Sequence, residues 1–485
     1  MGQDVELKLD LAGEEIVDLV AAGLVSGEPV VLARHVVYYD TPDRALRAAG
    51  FSLRIRKDAE GYVQIAKAVG AGIASVFARP KWERNVENDT PVLDDTTPIR
   101  AFLGRRADEI QPVFEIATER RRWSVLWEGT GIEMALDRGS IVAGDRKAPI
   151  AEIKLELEDG KPDGLFSFAR RLGAVMPLRL GVLSKAERGY WLTASPARAV
   201  KADPVALVAD MSVSAAFRTI AHACIRQFRM NEDLMDDGGE DAVHQARVAL
   251  RRLRSAFSVF NLLLEGETGA RLANEVKWLA GVLGSVRDLD VLVARCKDDA
   301  LRARLAEARA TAFREAATTL AGPRARALML DVEEWLVCGS WQTQRRTREV
   351  RTQPLPDFAA GALDRLRRKV KKGGRDLADV DDEARHAVRK DAKKLRYAAG
   401  FFAALFDRKR QKRRYGRFID ALEALQDRLG VLNDTADMPE VLVRLGFDEK
   451  ALTAFTKTEP QSSADMLAAA AEAHEALIDT KRFWR

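Results

Sequence analysis

The chain has 485 residues, which is too long for one ordinary hydrophobic core and predicts two or three domains. Hydrophobic residues make up 47% and charged residues 31%, a balance that is typical of a folded globular protein and excludes a largely disordered one. The net charge of +5 hides an asymmetry, because residues 1–200 have 28 Lys and Arg against 30 Asp and Glu, whereas residues 201–485 have 50 against 43. We therefore expect the C-terminal part to bind an anionic partner.

The cysteines and the N-terminal residues indicate where in the cell the protein is located. Cys224, Cys296 and Cys338 are widely spaced and odd in number, so they predict neither a disulfide framework nor a metal cluster. The segment MGQDVELKLDLAGEE is acidic and lacks the basic start and apolar core of a signal peptide. No run of about 18 apolar residues is present, so we expect a cytoplasmic protein with no membrane partner.

The first 195 residues have the pattern of β-strands. Polar and apolar side chains alternate with period 2 in DVELKLDL, HVVYYDT, FSLRIRKD, GYVQIAKAV, RRRWSVLWEG, GIEMALDRGSI and PIAEIKLELEDG, and Gly, Asp or Pro residues bound these segments. Two helical interruptions are predicted, near Gly13–Ala22 and near Gly164–Leu172.

Several of these strands segregate charge onto one face. In VELKL, Glu6 and Lys8 share one face, and Val5, Leu7 and Leu9 share the other. The same spacing recurs at Arg54 and Arg56, at Arg120 and Arg122, and at Glu152, Lys154 and Glu156. One interpretation is an open sheet with a solvated outer face. The other is a barrel with a polar interior, where carboxylates bind a divalent metal and Arg and Lys bind phosphate oxygens.

The pattern changes near Pro196–Pro204, which we interpret as a domain boundary. From about Val205 onward the chain is rich in Ala, Leu, Arg and Glu and predicts long helices. The predicted domains are residues 1–198 and 205–485, and the second contains an internal repeat of about 205–350 and 357–485. The repeat is visible in LGSVRDLDVL at Leu283, which is echoed by LGVLNDTADM at Leu429.

The helical half carries two basic stripes at identical helical offsets. The first basic stripe lies in VHQARVALRRLR and the second, 142 residues later, in RHAVRKDAKKLRY. Offsets of i, i+3, i+7 and i+10 place the members of each stripe on one helix face: His244, Arg247, Arg251 and Arg254, then His386, Arg389, Lys393 and Arg396. Arg252, Lys390 and Lys394 lie beside the stripes and are weaker candidates.

Two interpretations of the stripes are open. Some of the arginines could be structural, paired with Asp288 or Asp434 in the echoed segments. The repetition favours ligand contact, in which two similar helical bundles related by pseudo-twofold symmetry present both stripes to one groove, which we call the cradle. Two further basic runs, Arg365–Lys372 and Arg408–Arg417, are either solvated faces or polyanion contacts. Aromatic residues are sparse among them, which disfavours single-stranded nucleic acid and favours a flexible anion without bases.

The N-terminal half resembles the CYTH domains, the triphosphate tunnel metalloenzymes. The likeness rests on DVELKL, which resembles an E-x-E-x-K signature, and on YYDTPDRALRAAGFSLRIR, VQIAK, RPKWE, PVFEIATERRRW, IEMALDRG, PIAEIKLEL and LSKAERGYWL in that order. The C-terminal half resembles a CHAD domain in VHQARVALRRLR, WLAGVLGSVRDLDVL, RHAVRKDAKKLRY and LQDRLGVLND. The order of the two halves is similar to a bacterial CYTH–CHAD fusion.

The resemblance implies a two-domain α+β protein. Its N-terminal domain would be an eight-stranded antiparallel β-barrel tunnel that binds triphosphate with Mg²⁺ or Mn²⁺, and its C-terminal domain an all-α pair of duplicated bundles that binds inorganic polyphosphate. The implied phosphate-binding cations are Lys8, Arg54, Arg56, Lys67, Arg79, Arg120, Arg122, Lys185 and Arg188. The implied metal ligands are Asp4, Glu6, Glu152, Glu156 and Asp137, and the implied catalytic set is Glu6, Lys8, Lys67 and Lys185.

Three positions depart from the family pattern. Asp4 replaces the first glutamate of E-x-E-x-K, Lys81 stands where RPKWE more often has Glu, and Lys154 replaces the middle acid of an E-x-E-x-E strand. If both lysines point inward, the tunnel gains positive charge, which strengthens phosphate binding and weakens the hold on a second metal. Hydrolysis with one metal and binding without hydrolysis both remain open.

We therefore expect a metal-dependent inorganic triphosphatase, acting on tripolyphosphate, with a polyphosphate-binding CHAD domain, located in the cytoplasm and at polyphosphate granules. The alternative is a non-catalytic polyphosphate-binding protein whose tunnel no longer hydrolyses its ligand. A nucleotide cyclase or thiamine triphosphatase is less favoured, because no segment is assigned to base or thiazole recognition. Double-stranded nucleic acid stays open as another partner of the helical half.

Overall fold

The structure is a computed structural model that describes residues 5–11, 19–59, 61–68, 81–195, 197–235, 239–264, 266–444, 446 and 463–485. The chain forms two compact units. The first comprises Met1–Arg198 together with Ala321–Gly339, and the second comprises Ala199–Leu320 together with Ser340–Arg485. A segment from the middle of the helical half therefore packs within the N-terminal unit.

The first unit is built on one antiparallel sheet of nine strands. They are β1 Glu6–Leu11, β2 Val30–Asp40, β3 Phe51–Asp58, β4 Gly61–Ala68, β5 Lys81–Val86, β6 Gln111–Trp127, β7 Thr130–Ala143, β8 Arg146–Asp159 and β9 Leu178–Leu180. Their order is β5-β4-β3-β2-β6-β7-β8-β1-β9, and every neighbouring pair is antiparallel. The predicted antiparallel β-rich half is confirmed. The count exceeds the expected eight by the three-residue β9, and the described pairings leave β5 and β9 as edges.

The α-helices described in this unit are α1 Ala45–Ala48, α2 Pro98–Leu103, α3 Pro162–Gly173, α4 Lys185–Thr193 and α9 Pro323–Cys338. One sheet face is apolar and buried, with Leu7, Leu9, Ile153 and Leu155 at most 4% exposed. Helix α3 packs against β7 and β8, and α9 packs against α3 and β9. Burial of this face by helices is the expected source of most of the unit's stability.

Of the two predicted helical interruptions, the second is observed, and most of the first lies outside the described residues. Gly164–Leu172 lies within α3, which begins with Pro162 in its first turn. Of Gly13–Ala22 only residues 19–22 are described, and they form a turn. The turn runs on through Gly23, whose φ of 65° is a left-handed conformation that favours glycine and ends any helical run.

In the described residues of the second unit, the regular elements are α-helices and short 3₁₀ turns. Its α-helices are α5 Val213–Glu232, α6 Glu240–Val259, α7 Glu267–Arg295, α8 Asp299–Ala321, α10 Arg348–Thr352, α11 Leu355–Gly373, α12 Asp382–Phe402, α13 Lys409–Arg444 and α14 Ser463–Asp479. The predicted helical C-terminal half is therefore confirmed. None of the described helices is long and apolar enough to cross a membrane.

The helical unit repeats three consecutive helices. Helices α11, α12 and α13 begin 142 residues after α5, α6 and α7, respectively. The striped helices α6 and α12 pack against each other, and the equivalent residues Phe260 and Phe402 are in ring contact at 6.0 Å. Both phenylalanines are fully buried, as are Leu253 and its equivalent Leu395. Burial of this apolar side turns each stripe away from the core.

Candidate functional site

The second face of the sheet gathers charged side chains. Residues that lie directly opposite each other in an antiparallel ladder point to the same side. On β1, β8 and β7 this register produces two rows of carboxylates with a lysine pair between them. The first carboxylate row is Glu6, Glu156 and Glu133, the second is Asp10, Glu152 and Asp137, and Lys8 lies opposite Lys154 between the rows. We call this side of the sheet the inner face.

The remaining strands add mainly cations to the inner face. Arg120 of β6 lies opposite Asp137, and Arg122 follows two residues later. The ladders from β6 through β2 to β5 place further residues on the same side: Arg34, Arg54, Arg56, Lys67, Lys81 and Glu83. Burial, together with the charges of Arg120 and Arg56, lowers the pKa of Arg34, so these three arginines act on one another on this side of the sheet.

The carboxylates of the second row are engaged in ion pairs with arginine and lysine side chains. The carboxylate of Asp137 is 1% exposed and accepts hydrogen bonds from Arg120 Nε at 2.7 Å and Nη2 at 2.6 Å, and from Lys185 Nζ at 2.6 Å. Burial by itself raises the pKa of Asp137, but the hydrogen bonds of Arg120 and the charge of Lys185 outweigh burial and lower it to about 2. Lys185 also pairs with Glu152, and Arg188 Nη1 lies 3.6 Å from Glu152.

Helix α4 carries Lys185 and Arg188 to the second row. Its start is fixed by a capping box, in which Ser184 and Glu187 exchange hydrogen bonds between side chain and backbone. Gly189 lets the helix approach β6 closely, because a Cβ at that position would clash with the ring of Phe114. The sequence LSKAERGYWL thus encodes both the cations and the cap and glycine that position them.

The carboxylates of the first row form ion pairs with a lysine of the sheet, Lys154. Lys154 Nζ lies 3.0 Å from Glu6 and also pairs with Glu156, so Lys154 does point to the inner face. Burial acts to lower the pKa of Lys154, but the hydrogen bond and charge of Glu156 and the charge of Glu6 raise it overall. Lys81, the other departure from the family pattern, pairs with Glu83 at 2.6 Å.

The first row has the chemistry of a divalent-metal site. Three carboxylates on adjacent strands supply the hard oxygen ligands that Mg²⁺ and Mn²⁺ prefer, and Arg122 Nη1 lies 3.3 Å from Glu133. Within the described ranges, however, no group of three His, Cys, Asp or Glu residues is close enough to hold a metal. The ammonium of Lys154 lies between Glu6 and Glu156, and a cation that used both carboxylates would have to displace it. Of the predicted ligands, Asp137 and Glu152 are held by α4 and Arg120.

The structure packs the two striped helices, α6 and α12, against each other. Arg247 on α6 lies 3.6 Å from Asp288 and packs over Gly284, where a Cβ would be 3.6 Å from its Nη2 atom. Arg389 on α12 packs in the equivalent way over Gly430, also at 3.6 Å. Burial and the charges of Arg251, Arg287 and Arg389 outweigh the charge of Asp288 and lower the pKa of Arg247, so Arg389 of the second stripe acts on Arg247 of the first.

Arg287 of α7 adds a further cation next to the first stripe. Burial lowers the pKa of His244, and the charges of Arg287, Arg247 and Arg251 lower it further. The imidazole is therefore neutral at pH 7, within a group of permanently charged guanidiniums. Burial and the neighbouring charge of Arg251 also lower the pKa of Arg254. An anion in the cradle would relieve this repulsion.

The weaker stripe candidates take other positions. Arg252 is 8% exposed, donates a hydrogen bond to Gln227 at 2.8 Å and stacks over Phe401, so its guanidinium points into the core. Lys394 pairs with Asp391 at 3.4 Å, and Lys390 is exposed. Within the second stripe, Arg396 pairs with Glu423 at 3.1 Å. Asp4, Arg79 and the side chain of Asp434 lie outside the described residues.

Sequence reasoning missed four residues of these surfaces. Asp10 and Glu133 continue the period-2 alternation of their strands, two residues after Lys8 and four before Asp137, and that signal could have found them. Arg34 is the one Arg or Lys residue of β2, and Arg287 comes directly before Asp288 in an echoed segment. For these two, only the three-dimensional packing shows the neighbours.

Known proteins are similar to each half separately. An inorganic triphosphatase from Haemophilus influenzae is 29% identical over 204 residues, which are 40% of this chain and 55% of that protein. The chain thus spans about half the length of this curated relative. The crystal structure of the CHAD domain from the plant Ricinus communis is 28% identical with a TM-score of 0.45, over 58% of this chain and 93% of that one.

Solved structures similar to the first half are more distant. A putative adenylyl cyclase from Hippeastrum, described as having a dominant triphosphatase activity, is 16% identical with a TM-score of 0.27, over 39% of this chain and 95% of that one. A putative adenylate cyclase from Bacillus halodurans is 13% identical with the same TM-score, over 39% and 98% of the two chains. Residues 2–190 match the family model of the CYTH domain, and residues 219–443 match that of the CHAD domain. This chain is a tandem protein of the CYTH and CHAD families.

Proposed function

We propose that the CYTH domain is a metal-dependent inorganic triphosphatase acting on tripolyphosphate with Mg²⁺ or Mn²⁺, and that the CHAD domain binds inorganic polyphosphate. The observation that carries the first part is the inner face, where cations from β1, β3, β4 and β6 surround two rows of carboxylates. The match to an inorganic triphosphatase supports the substrate class.

The cations of the inner face would bind and orient the phosphate chain. Cleavage of a phosphoanhydride mainly requires neutralised oxygen charge and an oriented water. Guanidinium groups bind phosphate oxygens in a bidentate manner and stay charged at all working pH values. In this proposal the binding set is Lys8, Arg54, Arg56, Lys67, Arg120 and Arg122, with Arg79 as a further member.

Glu6, Glu156 and Glu133 would hold the metal. A divalent cation there supplies charge neutralisation and lowers the pKa of a bound water. The chain itself must first release Lys154 from Glu6 and Glu156, and the freed ammonium is then available to a phosphate oxygen. Lys185 and Arg188 remain locked to the second row, where they orient the far end of the site.

A second candidate function rests on the same lysine. Because Lys154 already neutralises two carboxylates of the first row, the tunnel could bind tripolyphosphate without a metal and without turnover. The protein would then be a polyphosphate receptor with two anion-binding domains.

Polyphosphate binding by the CHAD domain is supported by the two adjacent stripes and by the repulsion among their cations. A flexible anion that repeats along its length matches a doubled cradle, and its affinity would fall steeply with salt, as for nucleic acids. We place this binding in the bacterial cytoplasm, at polyphosphate granules.

Phosphate release from tripolyphosphate tests the enzymatic proposal. Full-length protein is assayed with Mg²⁺, with Mn²⁺ and with EDTA, beside the variant Glu6→Gln. Metal-dependent release that is lost in Glu6→Gln is the expected result. Release that persists in EDTA, or protein that binds tripolyphosphate and releases nothing, would reject it, and the second outcome would establish the receptor function.

The cradle is tested by reversing one charge in each stripe. Full-length protein with Arg247→Glu and Arg389→Glu should lose polyphosphate binding, measured by isothermal titration. A doubly substituted protein that remains folded and binds as the wild type does would contradict the cradle.

A further inference from the structure

Arg34 of β2 is a cation of the inner face that the proposed function does not use. It lies opposite Thr118 of β6, and Arg120 follows Thr118 by two residues on the same face. Arg56 of β3 lies opposite Val36, two residues from Arg34. Diagonal neighbours of this kind in an antiparallel ladder are within reach of long side chains. Arg34, Arg56 and Arg120 therefore form one group, which we call the Arg34 cluster.

The side chain of Arg34 differs from the other two in its partners. Arg56 pairs with Asp58 at 2.9 Å, and Arg120 donates two hydrogen bonds to Asp137. The acids that act on the charge of Arg34 are these same two, so both are already engaged. Within the residues that the structure describes, the Arg34 guanidinium makes neither a hydrogen bond nor an ion pair. It is therefore available to a ligand.

This position is unfavourable for a cation in the absence of a ligand. Arg34 is partly buried, and a polar group that is withdrawn from water without a partner costs free energy. Burial and the charges of Arg120 and Arg56 lower the pKa of Arg34, and the two engaged acids do not offset them. A guanidinium nevertheless keeps its proton at all working pH values. The repulsion is therefore relieved by binding an anion and not by loss of the proton.

The surroundings of Arg34 suit an anion rather than a metal. The hydroxyl of Thr118, directly opposite, makes no hydrogen bond in the described ranges and can donate one to an anion. Gly139 of β7 lies opposite Thr118, so β7 contributes no side chain at this level. Along β7, Gly139 is two residues beyond Asp137 of the second row and six beyond Glu133 of the first. The Arg34 position thus lies on the side of the second row that is away from the first row.

We propose that Arg34, together with Arg56 and Thr118, binds the phosphate group of tripolyphosphate that lies farthest from the metal, and that Arg34 thereby selects tripolyphosphate over pyrophosphate. This inference rests on the proposed binding of tripolyphosphate by the inner face, with the metal in the first row. A pyrophosphate held by that metal ends before the Arg34 cluster and leaves the guanidinium without a partner. A site that is built to bind a group discriminates against an analogue that lacks it, because polar atoms of the site then stay unpaired.

The test measures anion binding by the inner face of the full-length protein. The reference protein carries Arg247→Glu and Arg389→Glu, which are designed to remove the cradle as a second anion site. Arg34→Gln and Arg34→Lys are added to it as test variants. The matched control is Arg121→Gln, which removes the same charge from the other face of β6, where Arg121 is exposed and lies next to Arg120 in sequence. Isothermal titration in EDTA gives the affinity for tripolyphosphate.

We expect Arg34→Gln to bind tripolyphosphate at least about tenfold more weakly than the reference protein, because a charged hydrogen bond is lost. Arg34→Lys should regain part of the affinity, since its ammonium keeps the charge but not the bidentate geometry. Arg121→Gln should bind as the reference does. Reference affinity in Arg34→Gln, or an equal loss in Arg121→Gln, overturns the proposal.

Selectivity is measured in Mg²⁺. If the reference protein hydrolyses tripolyphosphate, its KM is compared with the inhibition constant of pyrophosphate; if it does not, titration in Mg²⁺ gives both affinities directly. The loss caused by Arg34→Gln should be larger for tripolyphosphate than for pyrophosphate. Equal losses for the two anions overturn the assignment of Arg34 to the phosphate farthest from the metal.

Two further observations separate the possible failures. Removal of Arg34 relieves repulsion within the cluster, so the melting temperature of Arg34→Gln in buffer without phosphate should equal or exceed that of the reference protein, whereas a structural role would lower it. A reference protein that binds tripolyphosphate but releases no phosphate rejects the proposed hydrolysis and leaves the role of Arg34 to the titrations. A reference protein that binds no tripolyphosphate rejects the proposed function of the inner face and this inference with it.

Discussion

Replacement of Lys154 should raise the apparent affinity of the CYTH domain for its metal. Lys154 is 24% exposed and pairs with Glu6 and Glu156, which are each 40% exposed. Partly exposed pairs contribute about 0.5–1 kcal/mol each, so release of both carboxylates costs about 1–2 kcal/mol in the wild type. Since about 1.4 kcal/mol corresponds to a tenfold change, Lys154→Met should lower the Mg²⁺ concentration for half-maximal turnover by about 5- to 30-fold.

The variant Lys154→Glu separates two effects of the same residue. It removes the competing ammonium, as Met does, and adds a further carboxylate next to the first row, so its half-maximal Mg²⁺ concentration should be lower still. Without metal the crowded carboxylates repel each other, and the melting temperature in EDTA should fall below that of Lys154→Met and recover with Mg²⁺. The assay is initial phosphate release against Mg²⁺ concentration at saturating tripolyphosphate. Unchanged metal dependence in both variants would mean that Lys154 does not compete with the metal for Glu6 and Glu156.

Three further predictions concern stability and binding. The pKa of Asp137 is about 2 in the folded protein, against a usual value of 3.8. The charged carboxylate therefore contributes about 2 kcal/mol to stability above pH 3.8, and this contribution is lost as the pH falls towards 2. The melting temperature of Asp137→Asn, measured over the same pH range, should show no such loss. Because burial and neighbouring arginines lower the pKa of His244 below 6.5, polyphosphate affinity should rise as pH falls below 6.5, and titrations of His244→Gln should show a flatter profile. Arg170→Glu on α3 should lower the free energy of unfolding by about 1–2 kcal/mol, because Arg170 lies 2.8 Å from Asp331 and 3.2 Å from Glu334 of α9. Addition of Glu334→Arg should restore part of the melting temperature in thermal unfolding.

The faces of the strands could be predicted from sequence because the side-chain period of a strand is 2. Alternation alone places Glu6 with Lys8 and Arg120 with Arg122 on a common side, and the ladder register agrees. Alternation does not predict which cation forms an ion pair with which carboxylate, because that depends on the neighbouring residues across the sheet. The pairing of Lys154 with Glu6, which decides how the first row can hold a metal, therefore required the structure.

The helical repeat was equally visible, because a spacing of 142 residues recurs in both basic stripes and, in the structure, in the starts of three helices. The sequence did not predict that α9 would pack in the first unit. Its buried residues, such as Leu328, Val332 and Leu336, form an ordinary apolar helix face, which could pack on any apolar surface. Only the contacts of α9 with α3 and β9 assign it to the first unit.

We propose that the inner face of the CYTH domain hydrolyses tripolyphosphate with a divalent metal. The most direct measurement is the time course of phosphate and pyrophosphate formation from tripolyphosphate by the full-length wild-type protein, in Mg²⁺ and in EDTA. We expect equal amounts of the two products in Mg²⁺ and none in EDTA. Absence of both products in Mg²⁺ and in Mn²⁺, from protein that binds tripolyphosphate, would contradict hydrolysis and favour a receptor function of the inner face.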